Sequence, residues 1–174
     1  MMKMFKNYIP RRKGFLHIDK YLSLNLILCG MLTFLFFSKF SFGYGLLYGC
    51  IPADLYMIDK YDKTYEVGDM IAFRMPKEAR FIHPEDKVIK IVAGKGGDHL
   101  KVTMDGVYNG KKFFKVNARR ISIKYGIPPG KIEREIDVPI NEIFVVGQTD
   151  HSWDSRFWGT VIDTTTIGKA YAIF

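Results

Sequence analysis

Residues 87–116 read KVIKIVAGKGGDHLKVTMDGVYNGKKFFKV. Lys87 to Ala93 is a β-branched run that closes on the glycine-rich Gly94-Lys95-Gly96-Gly97-Asp98. Leu100 to Met104 then alternates, Asp105-Gly106 leads into Val107-Tyr108, and Asn109-Gly110 leads into Lys112 to Val116. Asp-Gly and Asn-Gly between short alternating runs are strong hairpin signals, because these residues tolerate the positive φ of tight turns. The stretch predicts one strand followed by two successive hairpins.

Working outward, Glu66-Val67-Gly68-Asp69 turns into a strand at Met70 to Arg74, ended at Pro76. Ile143 to Gly147 and the terminal Ile167 to Phe174 read as two more strands. Nothing beyond residue 50 carries the apolar periodicity of a helix. The expected fold is mainly β: short antiparallel strands curled into a barrel-like domain. Asn117 to Glu135, polar and basic, reads as a projecting loop or ribbon.

The chain of 174 residues has room for one ordinary domain and a short appendage. Its net charge of +8 first suggests nucleic acid, but the distribution argues against that partner. Seven Lys/Arg and one acid precede Cys50, against 19 basic and 17 acidic residues from Cys50 onward. The excess belongs to Lys3, Lys6, Arg11, Arg12, Lys13 and Lys20, and a lipid bilayer explains it better. Between Lys20 and Lys39 lie 18 residues without formal charge, YLSLNLILCGMLTFLFFS, near the lower length for a spanning helix. The basic flank comes first, so the positive-inside rule puts the N-terminus in the cytoplasm. A cleaved leader is the rival reading, yet the first alanine is Ala53, so no A-x-A site precedes it. The expected organisation is a basic cytoplasmic segment at 1–20, a transmembrane anchor at 21–42 and an extracytoplasmic β-rich domain at 43–174. Phe40, Phe42, Tyr44 and Tyr48 would suit an interfacial belt. Cys29 falls within the span and Cys50 beyond it, too far apart for a disulfide, which needs Cα atoms within about 7 Å. A free thiol in an oxidising compartment is worth keeping only if it is used.

The motifs around that thiol form an ordered series. Cys50-Ile51-Pro52-Ala53-Asp54-Leu55-Tyr56 follows the apolar run, then Gly68-Asp69-Met70-Ile71-Ala72-Phe73, then Lys90 to Asp98, then Val138-Pro139 through Phe144. The series ends at Gly147-Gln148-Thr149-Asp150-His151-Ser152-Trp153-Asp154-Ser155-Arg156, followed by Phe157-Trp158-Gly159. Across residues 20 to 174 this order resembles bacterial signal peptidase I, the serine–lysine enzymes of the inner membrane. It is most similar to the conjugative-transfer peptidases that mature pilins, whose nucleophile box is S-x-P-x-G-x-Y. The resemblance implies a single-pass inner-membrane peptidase with its catalytic domain in the periplasm, acting on a membrane-inserted prepilin or other exported protein. Catalytic roles fall on Cys50 as nucleophile and Lys90 as general base, with Ser152, Asp154 and Arg156 in support. No cofactor is implied. Three departures stand out: Cys replaces Ser at position 50, Asp54 replaces the box glycine, and Tyr48 occupies a site where the family often has a small hydroxyl.

The chemistry can be argued from the residues alone. A lysine serves as base only where burial favours its neutral form, and Val88, Ile89, Ile91 and Val92 give Lys90 an apolar seat. A free thiol, with pKa ~8.5 against ~10.4 for lysine, demands less of that base than a serine would. Thiolate with ammonium and thiol with amine are both compatible with the sequence. A thioester also yields to amines more readily than an oxygen ester does, so Cys50 points toward transpeptidation and pilin ring closure beside plain cleavage. Ser152 is placed to direct the lysine, and Asp154 with Arg156 to form a buried ion pair.

Other readings remain. Leu47-Tyr48-Gly49-Cys50 also resembles a lipobox, making Cys50 a lipidation site, and the departures at Tyr48 and Asp54 permit an inactive scaffold that binds pilus or secretion components. His83, His99 and His151 have no metal-ligand spacing. His151 adjoins Ser152 and is either an aid to the thiol or a solvated loop residue. Trp153 and Trp158 suit either the core or a bilayer surface.

Overall fold

The computed structural model describes residues 20–45, 49–77, 79 and 86–173. The basic segment of residues 1–19 and Tyr48 lie outside the described residues. The chain divides into two units, Met1–Ser38 and Lys39–Phe174. The first contains helix α1 (Lys20–Lys39), whose span Tyr21–Lys39 is long and apolar enough to cross a membrane. Its large apolar side chains are exposed on every side, so α1 has no polar face to turn toward water. The helix ends at Lys39, and Phe40, Phe42 and Tyr44 are carried by a strand, three residues of which fall inside the expected anchor of 21–42.

The second unit is mainly β. In chain order its elements are β1 (Phe40–Tyr44), β2 (Leu55–Asp59), β3 (Met70–Arg74), β4 (Lys87–Lys95), β5 (His99–Thr103), β6 (Gly106–Asn109), β7 (Lys112–Lys115), α2 (Arg119–Tyr125), α3 (Pro129–Ile132), β8 (Arg134–Asp137), β9 (Glu142–Val146), α4 (Ser155–Trp158), β10 (Val161–Ile162) and β11 (Thr166–Ala172). Seven strands form one sheet in the order β1-β2-β11-β3-β4-β9-β10, and four form another in the order β7-β6-β5-β8. Every pairing is antiparallel.

β4 holds the fold together because it is buried on both faces along most of its length, as its β-branched run suggests, with Lys90 buried among the apolar residues. Ile91 and Ala93 join Phe144, Val146, Leu100, Val102 and Val107 in a core shared by the two sheets. Val92 turns the other way, into a second core with Ile71, Phe73, Ile143 and Val145. Truncating Phe144, which is wholly buried, to alanine would cost roughly 3–5 kcal/mol. β5 alternates exposed and buried positions instead, so the smaller sheet has one wet face. Passage between the sheets depends on Gly94, where a Cβ would lie 2.8 Å from the Leu100 side chain. Asp98 secures the turn by accepting from the Lys95 N–H at 2.9 Å and from Asn109 Nδ2 at 2.8 Å.

Both hairpins form, each with its turn one residue later or earlier than the dipeptides suggest. Thr103 pairs with Gly106 around Met104-Asp105, and Asn109 pairs with Lys112 around Gly110-Lys111. Gly106 is needed inside the strand because a Cβ there would sit 2.2 Å from the Phe114 carbonyl oxygen. The segment 117–135 is a larger departure: it folds into α2, α3 and the start of β8 rather than a projecting ribbon. Ala118, Ile121 and Ile132 are buried there, too few apolar positions to reveal a helical period among so many basic residues. β1 and β2 were also hidden, the first by its aromatics and the second inside the Cys50 motif. In β2 only Tyr56 and Ile58 turn inward.

Candidate active site

Lys90 sits mid-way along β4, paired with Ile71 of β3, and is wholly buried. Its Nζ donates to Ser152 Oγ at 3.0 Å, and that hydroxyl donates in turn to Asp154 Oδ2 at 2.7 Å. One hydroxyl therefore accepts from the amine and donates to the carboxylate, which fixes its rotor and the direction of the lysine. Asp154 also meets Arg156 through two bonds, Nε to Oδ1 at 2.8 Å and a terminal nitrogen to Oδ2 at 2.9 Å. Both side chains are fully buried. Burial alone would push the Asp154 carboxyl up, but the Arg156 guanidinium, with Lys90 and Ser152 behind it, outweighs this and holds it below the ordinary carboxylate range. The expected ion pair is present.

Local sequence explains why the cluster stays in place. Asp154 caps α4 by accepting from the Arg156 N–H, as an N-cap aspartate does. The Val145 N–H donates to Ser155 Oγ at 3.0 Å and the Gly147 N–H to Asp154 Oδ2 at 3.1 Å, tying the helix to the end of β9. Arg156 also reaches the Val116 carbonyl at 2.6 Å and lies over the Phe157 ring. Trp153 stacks on Phe157 with centroids 5.0 Å apart and is buried in the second core, whereas Trp158 is only partly buried.

Cys50 is half-buried and its thiol is free, as is that of Cys29 on α1. The Cys50 carbonyl accepts from the N–H groups of Gln148 at 2.7 Å and Thr149 at 3.3 Å. Thr149 Oγ1 donates to the Gly49 carbonyl at 3.0 Å. Tyr56 Oη donates to the Ile51 carbonyl at 3.0 Å, and burial pushes its phenol up. Gly147 joins the two halves of the site. A Cβ there would lie 2.2 Å from Ser152 Oγ and 2.6 Å from the Cys50 carbonyl oxygen, so only glycine lets the Cys50 loop rest against the hydroxyl that holds Lys90. Gly147 thus lies against the Cys50 carbonyl and the Ser152 hydroxyl, and Ser152 leads on to Lys90, Asp154 and Arg156, while no hydrogen bond joins the Cys50 and Lys90 side chains. No described residue accepts from the Cys50 N–H. Cys50 also lines a half-open cavity of about 370 Å³ with Phe42, Gly43, Tyr56, Ile58, Ala72 and Ile89, a mostly apolar groove.

His151 turns to Asp150, its Nδ1 2.7 Å from the carboxylate, and Asp150 is shared with Arg120. Among the described residues, no group of His, Cys, Asp and Glu could hold a metal ion. Sequence reasoning missed Gly147 as the junction and Thr149 as a partner of Gly49. Neither contact leaves a local signal, since both join segments about a hundred residues apart in the chain.

Against known proteins, the profile described as "Signal peptidase, peptidase S26" matches residues 18–174. A probable signal peptidase I-2 of Synechocystis sp. is 27% identical over 111 residues, covering 63% of this chain and 48% of that protein. The match thus spans about half the length of that curated relative. The crystal structure of a signal peptidase I from Enterococcus faecalis aligns with 62% of this chain and 97% of its own, at 21% identity and a TM-score of 0.41. The profile match takes in the whole described domain, from the Cys50 loop through β4 to the Ser152–Arg156 turn, and the chain belongs to the signal peptidase family, peptidase S26.

Proposed function

We propose that the chain is a membrane-anchored endopeptidase that cuts an exported, membrane-inserted protein by means of a Cys50/Lys90 dyad. The observation that carries this reading is the wholly buried Lys90, bonded to Ser152, whose hydroxyl lies with the Cys50 carbonyl against Gly147. The Cys50 sulfur bonds to the scissile carbonyl carbon while its proton passes to Lys90. The tetrahedral oxyanion is met by the Cys50 N–H. The C–N bond then breaks, Lys90 returns the proton to the departing amine, and a thioester remains on Cys50. Water, or a second amine, attacks that thioester, loses a proton through Lys90, and restores the thiol. The apolar groove beside Cys50 suits a substrate with a small residue before the scissile bond. The N-terminus lies in the cytoplasm and the β-domain outside it, as the basic flank of α1 suggests.

The finer reading places the substrate among prepilins of a conjugation system and the second step in aminolysis, joining the new carboxyl end to an amine. What supports it is the nucleophile box from Cys50 to Tyr56 and the chemistry of a thioester. Lipidation at Cys50 is disfavoured by the fold. It would sever the chain ahead of Cys50 and release β1, which pairs with β2 over five registers.

The test is processing of a membrane-inserted precursor by the detergent-solubilised chain and by Cys50→Ala, Cys50→Ser and Lys90→Ala. Cys50→Ala and Lys90→Ala should each lose activity by on the order of 10³ or more. Undiminished cleavage by Cys50→Ala would end the dyad reading, and absence of cleavage by the unaltered chain would favour a scaffold. For the finer reading, a product mass lower by one water than the linear chain supports ring closure, and a linear mass refutes it.

A further inference from the structure

We propose that Thr149 is a positioning residue for the oxyanion-binding N–H of Cys50, acting through the peptide bond between Gly49 and Cys50. The inference rests on the reading of Cys50 as the nucleophile. Thr149 Oγ1 donates to the Gly49 carbonyl at 3.0 Å. That carbonyl and the Cys50 N–H belong to one planar peptide group and point to opposite sides of it. A donor fixed on the carbonyl therefore fixes the direction of the N–H. The same bond polarises the amide and makes its N–H a stronger donor.

The position needs such a brace. Residue 49 is glycine, which gives the preceding torsions wide freedom, so this peptide group would otherwise turn over cheaply. The next two carbonyls are also held: Cys50 by the N–H groups of Gln148 and Thr149, and Ile51 by Tyr56 Oη at 3.0 Å and the Ala53 N–H at 2.9 Å. Three successive carbonyls are thus engaged on the protein side, while the Cys50 N–H has no acceptor among the described residues. Among the described residues the Gly49 carbonyl is held by the Thr149 side chain alone, so one substitution there removes its anchor and leaves the backbone bonds to the Cys50 and Ile51 carbonyls in place. An oxyanion site works by having its donor aimed before charge develops, and Thr149 provides that aim.

The experiment compares two reactions of Cys50 in the full chain in detergent, in a Cys29→Ser background so that one thiol remains. With p-nitrophenyl acetate the sulfur bonds to the acetyl carbon, an oxyanion forms, and p-nitrophenolate departs as the thiol proton passes to base. With iodoacetamide a sulfur–carbon bond forms and iodide departs, with no oxyanion at any point. Thr149→Val should slow acetylation roughly 10- to 100-fold while alkylation stays within about twofold. Thr149→Ser, which keeps the hydroxyl, should restore acetylation. Equal loss in both reactions would show a merely structural role and overturn the proposal, as would acetylation at the unaltered rate or failure of serine to rescue. If Thr149→Val does not fold, Thr149→Ala is read in the same pair of assays. Should Cys50 of the unaltered chain acetylate no faster than free cysteine, the nucleophile reading fails and this one with it. Fast acetylation in both chains would sink the Thr149 role alone.

Discussion

The two halves of the candidate site are held by opposite means. On the Lys90 side, side chains do the holding: Lys90, Ser152, Asp154 and Arg156 are all fully buried, and each bonds the next. On the Cys50 side the backbone does it, through the carbonyls of Gly49, Cys50 and Ile51, and the thiol itself is only half-buried. A group held by its own contacts cannot be exchanged without cost, whereas a group displayed by a pinned backbone can. The base side is therefore bound to its residue types by stability as well as chemistry. On the Cys50 side the bonds run through the backbone, so the side chain at that position is under no such constraint.

The largest expected effect tests the first half of this contrast. Arg156→Met strands a buried carboxylate, and should lower unfolding stability by about 3–5 kcal/mol in a denaturant titration. Adding Asp154→Leu to that variant should recover part of the loss, because the uncompensated charge is gone. If the double variant is no more stable than the single one, packing rather than charge holds this half. Gly147→Ala strikes the junction. Its Cβ would meet both Ser152 Oγ and the Cys50 carbonyl, so stability should fall by roughly 1–3 kcal/mol with loss of processing. Normal processing by that variant would show the two halves to be independent.

The Asp154 carboxyl supplies the pH dependence. Its folded pKa is depressed, so its contribution to stability is fully present above the unfolded value near ~3.9 and is lost as pH falls through the lower folded value. Melting temperatures of the unaltered chain should drop through that acid window more steeply than those of Asp154→Asn. Parallel profiles would mean that Asp154 is not the group responsible. The smallest expected effect is that of Cys50→Ser, which should leave stability within about 0.5 kcal/mol. A large destabilisation would mean that the thiol is packed after all, and the contrast would collapse.

What could be seen in the sequence follows from how local each signal is. β3 is bounded where its apolar run begins and ends, and β4 starts where expected, because a doubly buried strand writes its burial into consecutive residues. The first hairpin turn falls one residue before Asp105-Gly106 because Gly106 serves a close approach within the strand rather than the turn. α2 escaped notice because a seven-residue helix has too few apolar positions to show a period. The site divides in the same way. Lys90, Ser152, Asp154 and Arg156, which bond in series, each stand in a motif, as does Cys50. The bonds between residues 49 and 149, or from Arg156 to Val116, depend on how distant strands are brought together, and no nearby residue announces them.

The most direct test of the dyad is rapid quenching of the chain with a membrane-inserted precursor, followed by intact-mass and peptide mapping. The account predicts a transient thioester on Cys50 whose acyl part is one side of the cut precursor, and no such adduct with Lys90→Met. Cleavage that proceeds with no acyl group on Cys50, or an adduct that forms equally fast without Lys90, would contradict it.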